Sequence, residues 1–119
     1  MRPWILEHLS QVPHHTYVEP FGGGASVLLA KEPVAIEVYN DIDGRLVDLF
    51  KVLADERLFK KFHWIVSALP YSRKMFNDFK KEIVTEKDLT RRAAMFYVLV
   101  RQSFAGNTRT CQCLCPCCR

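Results

Sequence analysis

The first 110 residues contain no cysteine; all five cysteines fall between Cys111 and Cys118. An odd count in a chain without secretory features argues against a disulfide framework. No apolar run approaches the ~18 residues needed to span a bilayer. The opening Met1-Arg2-Pro3-Trp4 lacks the apolar core and small-residue cleavage site of a signal peptide. The chain is therefore read as soluble and intracellular, with no membrane partner. There is no internal repeat. The glycines are not spaced G-x-G-x-x-G, and no Lys-Ser or Lys-Thr follows them, which excludes a phosphate-cradling P-loop. Nor is there a Pro-Pro pair anywhere.

What is present is a chain of 119 residues, enough for one small domain, with 49% hydrophobic residues to build a core. The net charge of +4 hides an asymmetry. Residues 1–55 carry 4 Lys/Arg against 8 Asp/Glu, and residues 56–119 carry 13 against 5. A basic half suits phosphate contact, and an acidic half suits a cationic or hydroxyl-rich small molecule. Solvation of helix faces accounts for the charges equally well.

Periodicity places a first helix after Pro3, with Ile5, Leu6, Leu9 and Val12 on one face. His14-His15 reads as ordinary loop. Thr16-Tyr17-Val18 is a short β-prone run that ends in Glu19-Pro20 and three glycines. Ala25 to Ala30 reads as a short helix and Val34 to Tyr39 as a strand. Strand, helix and strand in that order imply a parallel crossover. Asn40-Asp41-Ile42-Asp43-Gly44 is a turn that also offers helix caps. Helices follow, with faces made of Leu46, Val47, Leu49, Phe50 and Leu53, then of Leu58, Phe59, Phe62, Ile65 and Val66. Pro70 breaks the pattern. Ser72 caps a third helix carrying Met75, Phe76, Phe79 and Ile83. Thr85 with Asp88 resembles a capping box for a fourth, running to about Arg101. Trp64 is assigned to core or groove lining.

The stretch Tyr17-Val18-Glu19-Pro20-Phe21-Gly22-Gly23-Gly24-Ala25-Ser26-Val27 is the most informative. A strand that runs into glycines lets the backbone approach a ligand closely. A plain tight turn would use the same residues. The second strand ends at Asn40-Asp41, 17 residues after Gly24. In a doubly wound sheet that end lies beside the first glycine turn, where a carboxylate can accept hydrogen bonds from a ribose diol. Asp41 is therefore assigned to a ligand, with helix capping as the competing role and Asp43 available to perform it. A nucleoside without pyrophosphate fits such a site, and S-adenosylmethionine is one.

These residues carry a family likeness. Val18 to Val27, followed by Tyr39-Asn40-Asp41-Ile42, resembles the adenine-specific DNA methyltransferases related to the bacterial GATC methylase. The likeness continues through Pro70-Tyr71-Ser72-Arg73 and Phe96 to Gly106, and covers roughly residues 4 to 107. It implies an α/β fold: a partial Rossmann-like S-adenosylmethionine-dependent methyltransferase fold followed by a helical target-recognition segment. Residues 1–55 would form the cofactor-binding portion, 56–107 the DNA-recognition segment, and 108–119 a Cys-rich tail foreign to the pattern. Glu19, Pro20, Phe21, Gly22, Gly23 and Gly24 would form the loop beneath S-adenosylmethionine, and Asp41 would bind its ribose. Arg101, Ser103 and Asn107 would contact double-stranded DNA, although the family form has Asn where this chain has Val100. A cytoplasmic, bacterial or phage-encoded protein is implied.

Two family features are missing. The resemblance assigns methyl transfer to an Asp-Pro-Pro-Tyr motif, whose carboxylate and backbone carbonyl hold the target amine while the tyrosine stacks on the flipped base. The chain has no such motif. It also begins inside the first helix, without the Gly-Gly-Lys segment that helps to hold the cofactor. The expectation is a truncated methyltransferase, inactive alone. The tail from Cys111 to Arg119 is read as a change of frame or premature end, in preference to a thiolate metal site. The alternative functions are a non-catalytic DNA-binding protein using the paired basic residues of its helices, and a thiolate metal-binding protein.

Overall fold

The computed structural model describes residues 2–104 and 107–111. Internal contacts divide the chain into two compact units, Met1–Val47 and Asp48–Arg119. The division falls inside a helix, ahead of the boundary at 55 drawn from the sequence.

The first unit holds helix α1 (Arg2–Gln11), strands β1 (Thr16–Glu19) and β2 (Ile36–Tyr39), and the start of helix α2 (Gly44–Ala54). β1 and β2 pair in parallel, from Thr16 opposite Ile36 to Glu19 opposite Tyr39. Because strand side chains alternate, this register puts Val18, Ile36 and Val38 on one face and Tyr17, Glu19, Glu37 and Tyr39 on the other. The three apolar residues are exposed.

The crossover between the strands corrects the sequence reading. Ala25 to Ala30 is a succession of turns rather than a helix. Leu29 and Lys31 donate to the carbonyls of Ala25 and Val27, four residues back, but Ala30 donates to Val27, only three back. Six residues return too few hydrogen bonds to offset helix nucleation, and Ala25 enters with φ of 51°, outside the helical region. Polar contacts to the sheet hold the segment instead. Leu28 N–H donates to Glu19 Oε1 (2.8 Å), and Val34 N–H donates to Glu37 Oε1 (3.2 Å). Lys31 pairs with Glu37, and its Nζ lies 4.7 Å from the centre of the Tyr17 ring. With its N–H committed to Glu37, Val34 stays outside the strand, which begins at Ile36.

The second unit is helical. α3 (Glu56–Ala68), α4 (Arg73–Glu82) and α5 (Leu89–Gln102) are followed by β3 (Ser103–Phe104), which pairs antiparallel with β4 (Asn107–Cys111). Capping side chains set the helix starts. Asp55 accepts from Arg57 and Leu58 N–H, and Ser72 accepts from Met75 N–H. The expected Thr85 cap is replaced by Asp88, which accepts from Arg91 N–H. Thr85 donates its hydroxyl to Glu82 O instead, closing the end of α4.

The core of this unit is built mainly on α5, where Ala93, Ala94, Met95, Phe96, Val98 and Leu99 are buried. Val52, Phe62, Ala93 and Ala94 form one buried cluster against which Leu49, Leu58, Ile65, Val66 and Leu89 pack. Phe76 and Ile83 of the α4 region are also buried, as their spacing predicts. Three residues depart from expectation. In α2 the fully buried residue is Val52, while Leu53 is exposed, and on the α3 face Phe59 is exposed as well. Trp64 is 74% exposed, which removes the core half of its assignment and leaves groove lining, because α3 buries Phe62 and turns Trp64 away from that face. No helix among the described residues is long and apolar enough to cross a membrane. The Cys-rich tail beyond Cys111 lies outside the described residues.

Candidate functional site

The glycine turn grows directly out of the parallel pair. Asn40 N–H donates to Glu19 O (2.9 Å), and Gly22 N–H donates to Asn40 O (2.9 Å), so the two chains stay joined past the last strand residues. The Asn40 amide adds a bond to Pro20 O (2.9 Å). At Gly22 a Cβ would meet Tyr39 Cε2 at 2.2 Å, so the aromatic ring can lie there only because the side chain is absent. Gly23 has φ of 51°, in the left-handed region that glycine adopts without strain. Nothing lies within 4 Å of a Cβ built on Gly23 or Gly24, so that side of the turn is open.

Asp41 reaches this turn. Its Oδ2 accepts from Gly23 N–H (2.8 Å), and its Oδ1 accepts from Asp43 N–H (2.8 Å). Each oxygen keeps a lone pair for a further donor. The competing role of helix capping falls to Asp43, whose Oδ1 accepts from Arg45 N–H (3.0 Å) and whose carbonyl accepts from Leu46 and Val47. The Arg45 guanidinium also binds both Asp43 oxygens (2.9 and 2.7 Å). That contact holds the Asp43 carboxyl below its ordinary value.

Glu19, drawn from the sequence as a ligand-loop residue, ties strand β1 to the crossover that follows the turn. Its Oε1 accepts from the Tyr17 hydroxyl (2.9 Å) as well as from Leu28 N–H. Burial, and then the bond and charge of Glu19, push the Tyr17 phenol up to about 12. Tyr39 was not singled out in the sequence, yet its hydroxyl donates to Gly23 O (2.7 Å). Burial, followed by the charges of Asp41, Glu19 and Asp43, raises its pKa, so it remains a donor at neutral pH. Two large apolar side chains stand in solvent on either side of these contacts in the sequence: Phe21, 89% exposed, and Ile42, 99% exposed.

The residues assigned to DNA are less concentrated. Arg101 is exposed, and its carbonyl faces the hydroxyl of exposed Tyr71 at 3.5 Å. Ser103 is only 4% exposed and donates its hydroxyl to Val100 O (2.9 Å), so that group is committed to ending α5. Asn107 opens β4 opposite Phe104. Ala105 and Gly106, between them, lie outside the described residues.

Many cations on the helices are already matched. Lys60 pairs with Glu56 (2.6 Å), Lys61 with Asp88 (2.7 Å) and Lys74 with Asp78 (2.8 Å). Arg91 pairs with Glu86 (3.1 Å) and Arg92 with Asp48 (2.6 Å).

The family model for the D12 class of N6 adenine-specific DNA methyltransferases matches residues 1–111, through β4 and past the 4–107 span of the sequence likeness. No curated protein and no solved structure gives a significant match.

Proposed function

The chain belongs to the D12 class of N6 adenine-specific DNA methyltransferases, and on that premise we propose that residues 16–43 form the S-adenosylmethionine seat of such an enzyme. The observation that carries this reading is the contact between the glycine turn and the strand-end carboxylate: Gly23 N–H on Asp41 Oδ2 at 2.8 Å. The parallel pairing of β1 and β2 supports a Rossmann-like arrangement, in which such a juncture binds a nucleoside. The donor set fits this cofactor. Asp41 has lone pairs left for ribose hydroxyls, and exposed Phe21 and Ile42 offer apolar surface for a purine. Glu19 and Asp41 supply negative charge suited to a sulfonium cation. When bound, the cofactor supplies an electrophilic methyl group.

Double-stranded DNA is the proposed substrate, contacted by the second unit. Arg57, Lys81, Lys87 and Arg101 have no carboxylate partner among the described residues and are the best candidates for phosphate contact. The 119 residues contain no Asp-Pro-Pro-Tyr segment, so we propose that they bind cofactor without transferring its methyl group to DNA.

The test is a calorimetric titration of S-adenosylmethionine into wild type and Asp41→Asn, with a filter assay for labelled methyl on DNA alongside. The reading predicts binding that weakens about tenfold or more in the variant, consistent with loss of charge-assisted bonds, and no label on DNA. Equal affinity in the two proteins overturns the seat, and clear turnover overturns the inactivity.

A further inference from the structure

Tyr39 and Asp41 sit two residues apart at the end of β2, and both reach the same glycine. The Tyr39 hydroxyl donates to the carbonyl of Gly23 at 2.7 Å, and the Asp41 carboxylate accepts from the N–H of Gly23 at 2.8 Å. We propose that Tyr39 is a positioning residue for the cofactor seat, acting with Asp41 as a two-point clamp that fixes Gly23 before any ligand arrives. This rests on the S-adenosylmethionine reading of the same site.

The geometry supports a role beyond packing. The clamped residue is not core: Gly23 is only half buried and lies in the left-handed region. A Cβ built there meets nothing within 4 Å, so the turn is open where a ligand can approach. A residue in that region without a side chain has wide backbone freedom, which a single anchor at the N–H leaves largely intact. A second anchor at the carbonyl removes the freedom of the peptide that follows. Asp41 gains in turn, because a fixed Gly23 N–H orients its carboxylate and aims the remaining lone pairs at one place. Binding is strengthened when this ordering precedes the ligand. The Tyr39 ring has a separate task against Gly22, which Phe performs equally well. Removing the hydroxyl alone therefore tests the clamp without opening a cavity.

The experiment uses the full chain and two readouts. Amide hydrogen exchange at Gly23 is measured by NMR without ligand in wild type and Tyr39→Phe. S-adenosylhomocysteine affinity is measured in wild type, Tyr39→Phe, Asp41→Asn and the double variant. The clamp predicts that Tyr39→Phe speeds Gly23 exchange about tenfold and weakens the ligand by a similar factor, the size of one lost hydrogen bond. It also predicts that the double variant binds no worse than Asp41→Asn alone, because both substitutions break one unit. Exchange and affinity that are both unchanged, or fully additive losses in the double variant, overturn the proposal. A wild type that binds no ligand overturns the cofactor reading and the positioning role with it, and the exchange result then reports separately whether Gly23 is held.

Discussion

The two units are held together by different means. In the second, Val52, Phe62, Phe76, Ile83 and six residues of α5 are buried, and polar groups mainly end the helices. In the first, Ala25 is the one buried apolar residue among those described, while Val18, Ile36 and Val38 of the sheet remain exposed. Its order comes from directed hydrogen bonds: Tyr17 and Leu28 on Glu19, Tyr39 and Asp41 on Gly23, Lys31 on Glu37. Apolar burial is non-directional and forgiving, whereas a bond network places particular atoms and fails when one partner is lost. The unit with the less apolar interior is the one proposed to seat the cofactor, where particular atoms must be placed.

Substitutions can break or sharpen that contrast. The largest effect is expected from Phe76→Ala, which empties a site 1% exposed and should cost the helical unit about 3–5 kcal/mol, read as a lower melting temperature in far-UV circular dichroism. Gly22→Ala comes next. Its Cβ would stand 2.2 Å from Tyr39, and overpacking of this kind costs about 1–3 kcal/mol. Cofactor affinity should fall more than tenfold while the melting of the helices is unchanged. If both units melt together in either variant, the contrast is wrong.

Alkaline titration is a gentler probe. The Tyr17 phenol is raised from 10.0 to about 12 in the folded chain, so its contribution is fully present below pH 10 and is lost as pH rises through about 12. The first unit should loosen across that window, followed by tyrosinate absorbance, and Tyr17→Phe should remove this component. Asp88→Ala removes the cap of α5 and the partner of Lys61, for about 1 kcal/mol in denaturant melts. The Lys61 contact and the Arg91 N–H lower the Asp88 carboxyl, so wild type should shed this stability only as pH falls below the ordinary value of 3.8. Trp64→Ala should stay within about 0.5 kcal/mol of wild type, as for other exposed positions.

Much of this was legible from local chemistry. Ser72, Pro70 and the helical spacing around Phe76 and Ile83 located α4, and the β-branched run before Asn40 located β2. The three glycines and Asp41 marked the two chain segments that meet. What escaped depended on partners distant in sequence. The Tyr39 hydroxyl finds Gly23, 16 residues away, and no local pattern announces it. The turns at 25–30 look helical because alanine and leucine suit a helix, but the segment is too short to offset nucleation, Ala25 enters in the left-handed region, and Glu19 draws the Leu28 N–H. Val52 escaped, and Trp64 was left between core and groove lining, because a period of 3.6 leaves neighbouring residues ambiguous until the packing partner is known. Thr85 and Asp88 are both good caps, and the end of α4 claimed the first.

The most direct measurement is an NMR titration of isotope-labelled chain with S-adenosylhomocysteine. A ligand seated over the glycine turn predicts the largest saturable shifts at the amides of Gly22, Gly23, Gly24 and Ile42, with the helical amides of residues 56–102 little changed. Shifts centred on those helices, or none at millimolar ligand, contradict it.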